Sequence, residues 1–197
     1  MNWLGKLALI LSARRRGSRI SFKAYLKEAG RIRVGGRTKV HAHASIDASR
    51  GGGVTLGDRV TLNRYAMVQG SDGGVFIGDG TEVNNFAFLN GAGVLTIGRN
   101  VLIGPGAKIV SSQHRFDDPA LPIREQDNLF RETRIDDGAW IGAGAVIMAG
   151  VHVGADAIVG ANAVLTHSCP RGAIMLGVPA RLTRYRPGFG PDDTAAS

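Results

Sequence analysis

Between Ile135 and Leu165 an aliphatic residue falls at every sixth position: Ile135, Ile141, Ile147, Val153, Val159 and Leu165. Four residues after each of the first five stands a second small or branched residue, Ala139, Ala145, Val151, Ala157 and Ala163, and Gly142, Gly154 and Gly160 directly follow an aliphatic. A helical face repeats near 3.6 residues, so a beat of six demands a short extended piece with a bend in every unit. Three units make one triangular coil. Successive coils stack as parallel strands, each burying its corner aliphatics on those of the coil below, which is the logic of a three-sided parallel β-helix.

The beat also runs upstream, as Val34, Val40 and Ile46, then Leu56, Leu62 and Val68, then Ile77, Val83 and Leu89, then Ile97, Ile103 and Ile109. Glycine again follows the aliphatic in Leu56-Gly57, Ile77-Gly78, Ile97-Gly98 and Ile103-Gly104. About seven coils are expected between Val34 and Leu165. Short additions, residues 70–74 and 90–93, read as corners that bulge without breaking the stack.

The beat fails once, over residues 111–134, a polar stretch with two prolines that is too long for a corner. Loops of that length in a compact domain are mostly functional or disordered. The chain thus divides into residues 1–33, a basic, amphipathic helical segment that caps the solenoid; residues 34–168, an all-β solenoid carrying the loop; and residues 169–197, an extension ending in a frayed tail from Pro187.

The apolar run Trp3, Leu4, Leu7, Ala8, Ile10 and Leu11 is followed by Arg14, Arg15 and Arg16. A secretory signal carries its charge first, so the order argues against export, and the run is too short to span a bilayer. A helix remains, continued through Ile20, Phe22, Tyr25 and Leu26 to Gly30. It has two roles to fill, covering the open end of the first coil and lying on an anionic membrane surface.

The 29 glycines suit a chain that bends several times per coil. A net charge of +8 points to an anionic partner: a phosphorylated cofactor, a membrane or nucleic acid. The arginines are not interleaved with aromatics and no reader motif is present, which argues against nucleic acid. A single cysteine, Cys169, excludes a disulfide framework and suits a reducing compartment. His114 opens the long loop, and imidazole is the side chain best suited to move a proton near neutral pH.

Ile97-Gly98-Arg99-Asn100-Val101-Leu102-Ile103-Gly104-Pro105, then His114, Trp140-Ile141-Gly142 and Gly177-Val178-Pro179-Ala180-Arg181 stand in one order and spacing. Over about Val54 to Arg184 the chain resembles the hexapeptide-repeat O-acetyltransferases of the maltose and galactoside acetyltransferase group, and those of polysaccharide biosynthesis. The resemblance implies a left-handed parallel β-helix, a homotrimer and acetyl-CoA bound between neighbouring subunits. By position His114 matches the family's general base and Asn84 the asparagine that positions the acceptor, with Asn85 as the alternative register. The backbone N–H of Ala143 matches the oxyanion donor, and Trp140 the residue lining the cleft. Ala161 and Thr166 match positions on the pantetheine arm, and Arg181 and Arg184 suit the nucleotide phosphates. His167 stands where relatives often have a lysine.

The function expected is transfer of acetyl from acetyl-CoA to a hydroxyl of a sugar, in a surface-polysaccharide or lipid-linked glycan precursor. The place expected is the cytoplasm, at the inner face of the membrane. N-acetylation of an amino sugar, antibiotic acetylation, a non-catalytic solenoid and a metal hydratase are the alternatives. A hydratase on this solenoid needs three histidine ligands; the loop after His114 supplies no second one, so no metal is expected. His41 and His43 read as solvent-facing.

Overall fold

The computed structural model describes residues 3–190. Seven coils run from Arg19 to Cys169, each turning through three sides. Coil 1 contributes Arg19–Ile20, Tyr25–Lys27 and Ile32–Val34; coil 2 contributes Lys39–Val40, Ser45–Asp47 and Val54–Leu56; coil 3 contributes Thr61–Leu62, Met67–Gln69 and Val75–Ile77. Coil 4 follows with Glu82–Val83, Phe88–Asn90 and Leu95–Ile97, and coil 5 with Leu102–Ile103, Lys108–Val110 and Thr133–Ile135. Coil 6 has Trp140–Ile141, Val146–Ile147 and His152–Val153; coil 7 has Ile158–Val159 and Val164–Leu165 and closes where Cys169 bridges to Val153.

First strands line up in a nine-stranded sheet, second strands in a seven-stranded sheet and third strands in a six-stranded sheet. Between coils the pairing is parallel and aliphatic sits on aliphatic: Val83 on Ile103, Leu89 on Ile109, Ile97 on Ile135. Leu62, Leu89, Ile103, Ile109, Ile141 and Ile147 are wholly buried in one continuous core. Each contributes roughly 1.5–3 kcal/mol by leaving water.

The small residues of the beat have a packing cause. Ala44, Ala66, Ala87, Ala107, Ala145 and Ala163 are fully buried at the turn before each second strand, stacked in one column where the coil narrows. At Gly142 a Cβ would stand 2.5 Å from the Ala161 nitrogen, so only glycine lets coils 6 and 7 approach there. Buried hydroxyls join coils at another corner. Thr81 Oγ1 donates to the Gly98 carbonyl at 2.8 Å and accepts the Val101 N–H at 3.0 Å, and among the described residues no buried side-chain nitrogen or oxygen is without a partner.

The amino-terminal expectation needs correction. The helix α1 spans Trp3–Arg15 and stops before Gly17, whose φ is +76°. Ile20 and Leu26 are not helical but, with Val34, form the buried corners of coil 1, stacked on Val40, Ile46 and Leu56 of coil 2. Parallel pairing gives these residues backbone partners and burial that an exposed helix would lack. The helix does cover the open end: Ile10 and Ala13 are buried in the core, and Lys6 Nζ donates to the Phe22 and Ala24 carbonyls.

Residues 111–134 form an arm rather than a slack loop. Ser112–His114 pairs antiparallel with Asn128–Phe130, and the tip holds one 3-10 turn, Ile123–Glu125. Its roots are pinned by two buried hydroxyls. Ser111 Oγ donates to the Asn90 carbonyl at 2.9 Å, and Thr133 Oγ1 donates to the Val110 carbonyl at 2.9 Å.

At the far end Ala173–Gly177 adds to coil 7 and folds back antiparallel into Ala180–Tyr185. The expected fraying does not begin at Pro187, because the Phe189 ring lies under the guanidinium groups of Arg171 and Arg186. The rest of that tail, residues 191–197, falls outside the described residues.

Candidate active site

The seven-stranded sheet has two long edges, and the candidate residues divide between them. At the corner entering it, Asn85 in coil 4, Pro105 in coil 5, Ala143 in coil 6 and Ala161 in coil 7 rise along the solenoid, with Asn84 one place before, level with Gly104, Gly142 and Gly160. The pairing Ile103 to Ile141 to Val159 fixes that register. At the corner leaving it stand His114, on the arm of coil 5, and Thr166, in coil 7. Within one chain the structure does not bring His114 to Asn84 or Ala143.

His114 is exposed and pairs through its backbone with Asn128; its imidazole makes no side-chain hydrogen bond among the described residues. Both side chains border a polar cavity of about 410 Å³. Below them the wall is a ladder of last residues from the second strands. Asn90 Nδ2 donates to Gln69 Oε1 at 3.4 Å, and Lys27 Nζ lies 3.3 Å from Asp47 Oδ2. Burial pushes the Asp47 carboxyl up, but hydrogen bonds from Ser49 and Lys27 outweigh it and hold the group below its ordinary value. No periodicity rule singles out this ladder, since its residues share polarity and not a residue type.

At the entering corner the N–H groups of Ala143 and Ala161 donate to no acceptor among the described residues, although the Ala143 carbonyl accepts from Asn162. The Ala143 N–H is therefore a free donor at an exposed, glycine-bearing turn, the type of group that stabilises a developing oxyanion without rearrangement. Asn84 is half-buried, and its Oδ1 accepts from Asn63 Nδ2 at 3.3 Å. Asn84 thus forms a side-chain ladder with Asn63, while Asn85 is exposed.

Trp140 is half exposed on the outer face of the nine-stranded sheet, between Leu102 and Ile158. Thr166 Oγ1 is 2.9 Å from His167 Nδ1, so each occupies the other. Arg181 and Arg184 project from the last strand beyond coil 7; Arg181 stands opposite Leu176, near the end of the column that holds Ala143 and Ala161, and Arg184 opposite Ile174, above Ile158 and Trp140. Among the described residues no group of three or more His, Cys, Asp or Glu clusters as a metal site would require. Cys169 faces the core, where burial raises its thiol.

Sequence reading missed an aromatic stack on the entering corner. His43, Tyr65 and Phe86 lie one above another, centroids 5.1 Å apart and planes within 9° and 1°. Each directly precedes an alanine of the buried column, so setting the coils in register would have revealed it.

The family model "Bacterial transferase hexapeptide (six repeats)" matches residues 132–167. Nodulation protein L of Rhizobium meliloti is 43% identical over 90 residues, 45% of this chain. Curated relatives from Schizosaccharomyces pombe, Mycobacterium tuberculosis and Rhizobium meliloti are matched over only 43%, 31% and 47% of their own lengths.

Among solved structures, a hexapeptide-repeat acetyltransferase of Vibrio cholerae is 31% identical, with 63% of this chain and 72% of that one covered and a TM-score of 0.54. Galactoside acetyltransferase in complex with coenzyme A is 26% identical over 67% of this chain and 64% of its own, with a TM-score of 0.58. An N-acyltransferase from Bacillus cereus, in complex with dTDP and 3-hydroxybutyryl-CoA, covers 87% of this chain and 81% of its own at 20% identity and a TM-score of 0.57, a likeness of fold alone. Coil register, corner glycines and the Vibrio cholerae relative agree, and the chain belongs to the hexapeptide-repeat acetyltransferase family.

Proposed function

We propose that the chain transfers acetyl from acetyl-CoA to a hydroxyl of a saccharide, at sites shared between adjacent copies of a homotrimer. The observation that carries this reading is the division of the candidate residues. A free imidazole stands at one edge of the seven-stranded sheet and a free N–H at the other, so one chain's His114 edge meets a neighbour's Ala143 edge.

In that arrangement His114 removes the proton of the acceptor hydroxyl as its oxygen attacks the thioester carbon. An alcohol is a poor nucleophile until that proton leaves. Ala143 N–H donates to the carbonyl oxygen as negative charge gathers there. His114 then returns the proton to the departing sulfur, so proton and electron pair both balance. Asn84 holds the acceptor through its amide donors, and Trp140 walls the cleft. Ala161 and Thr166 face the pantetheine arm, while Arg181 and Arg184 hold the phosphates.

The residues fit the cofactor: unpaired N–H groups lie along one column with the exposed Arg181 near its end, and the exposed Arg184 stands above Trp140. The galactoside acetyltransferase bound to coenzyme A supports the same reading by likeness. We place the work at the inner face of the cytoplasmic membrane, on a glycan precursor. Trp3, Leu4, Leu11 and Phe22 are exposed at the capped end beside Arg14, Arg15 and Arg16. Among the described residues no helix is long and apolar enough to cross a membrane.

The test is thiol release from acetyl-CoA with a panel of saccharides and amino sugars, followed by hydroxylamine treatment of the product. Acceptor-dependent release and a hydroxylamine-labile ester are expected. A resistant amide would move the reaction to N-acetylation, and no release with any acceptor would overturn the enzyme reading.

A further inference from the structure

The aromatic stack ends abruptly beside the candidate site. His43, Tyr65, Phe86, Gly106, Gly144 and Asn162 occupy one corner position in coils 2 to 7, all at φ between +56° and +69°. The pairing Ser45 to Met67 to Phe88 to Lys108 sets this register, and the Gly106 N–H donates to the Asn85 carbonyl at 2.9 Å. Rings fill the first three rungs and the fourth is bare. Nothing lies within 4 Å of where a Gly106 Cβ would point. The rung above is occupied, because the Asn162 amide folds over Gly144 where a side chain would otherwise stand. The column therefore lacks one rung, at coil 5, and the upper face of Phe86 is its floor. Phe86 is 59% exposed against 45% for Tyr65, which has a ring on each side.

The gap is one coil step thick, about 4.8 Å, the thickness that a ring takes up in the stack below it. Its rim is polar and carries donors: the exposed Asn85 amide, Asn84 one residue before it, and Lys108, whose Nζ is 3.5 Å from the Gly106 carbonyl. Just above it stands Ala143 with its unpaired N–H. An apolar face to lie on and hydrogen-bonding groups around the edge match a pyranose, whose axial C–H bonds form an apolar face and whose hydroxyls point outward from the ring.

We propose that the slot between Phe86 and Asn162, left open by Gly106, is where the acceptor's pyranose ring stacks. This deepens, and rests on, the saccharide acetyltransferase reading. It makes Phe86 a specificity residue that favours ring faces with few axial hydroxyls, and it gives a use to the one bare coil between the end of the ring stack and Ala143.

The experiment is saturation-transfer NMR on the full chain with the methyl glycosides of glucose, galactose and N-acetylglucosamine, alongside calorimetric titration with acetyl-CoA. In the wild type, ring C–H protons of at least one glycoside receive saturation. Gly106→Phe adds the missing rung, at a corner that already accepts His43, Tyr65 and Phe86 at positive φ, and should abolish the transfer while acetyl-CoA still binds. Phe86→Ala should weaken glycoside binding about fivefold to tenfold, and Phe86→Trp should restore it. Equal saturation in Gly106→Phe, no saturation of any glycoside in the wild type, or displacement of the glycoside from the slot by thymidine monophosphate acting as a stacked base would each overturn the assignment. Failure of acetyl-CoA to bind would instead sink the acetyltransferase reading and leave a glycoside signal standing as a sugar site.

Discussion

Nε2 of His152 lies 2.7 Å from Oδ2 of Asp136, and Nε of Arg134 lies 2.6 Å from the other oxygen of that carboxylate. Arg134 and His152 face each other across coils 5 and 6, so one carboxylate ties the coil carrying the arm to the coil above it. Partial burial pushes the Asp136 carboxyl up, but the bonds from Arg134 and His152 outweigh it and hold the group below its ordinary value. A carboxyl depressed on folding stabilises fully above the unfolded carboxylate value, near ~3.9, and loses that contribution as pH falls through the folded value. Asp136→Asn should lower stability by about 0.5–1 kcal/mol at pH 7, modest because both partners are half exposed. Urea midpoints measured from pH 7 to pH 2 should converge for the two proteins at the acid end; a constant gap would show that packing, not charge, is what the substitution removes.

Arg181 projects past the last coil with no carboxylate partner among the described residues, its Nη1 donating to the Ala180 carbonyl. Arg181→Ala should raise the KM for acetyl-CoA several-fold and leave the KM for the acceptor unchanged, since a phosphate contact contributes uniformly to ground and transition states. Initial rates at varied acetyl-CoA check this. A change confined to acceptor usage would remove Arg181 from the cofactor path.

The exposed apolar groups of the capped end predict binding to anionic vesicles. With phosphatidylserine vesicles the chain should sediment at low salt and detach as salt screens the arginines. Trp3→Ser with Leu4→Ser should lose this binding and keep the melting temperature, because both side chains are outside the core. Sedimentation of that double variant equal to the wild type would limit the helix to capping.

Much of the fold is legible because the inward positions obey one rule: Ile141 must sit on Val159, and Gly142 must admit the next coil's backbone. Coil 1 escaped because Ile20 and Leu26 lack the following glycine, the step from Leu26 to Val34 is eight residues and not six, and an apolar run precedes them. Outward positions follow no such rule. His114 is marked by the break in the beat, yet its distance from Ala143 depends on which edge of a sheet each occupies, and that becomes visible only when the coils are closed. Phe86 and Gly106 were hidden for a related reason, since a stack of unlike rings is a column in space and not a pattern along the chain.

The division of His114 and Ala143 between opposite sheet edges is the central claim, and complementation tests it directly. His114→Ala removes the base and should lower turnover about 10²–10⁴-fold with assembly and acetyl-CoA affinity intact. Ala143→Pro removes the N–H donor and should cost about 10²–10³-fold; proline is compatible with that turn, since Pro105 holds the register-equivalent place one coil below. Co-expressed with separate tags and purified as mixed oligomers, the two variants should recover about a quarter of wild-type turnover, because chance assembly pairs an intact His114 with a neighbour's intact Ala143 at that fraction of interfaces. Mixed oligomers no more active than the mean of their parents would contradict the shared site.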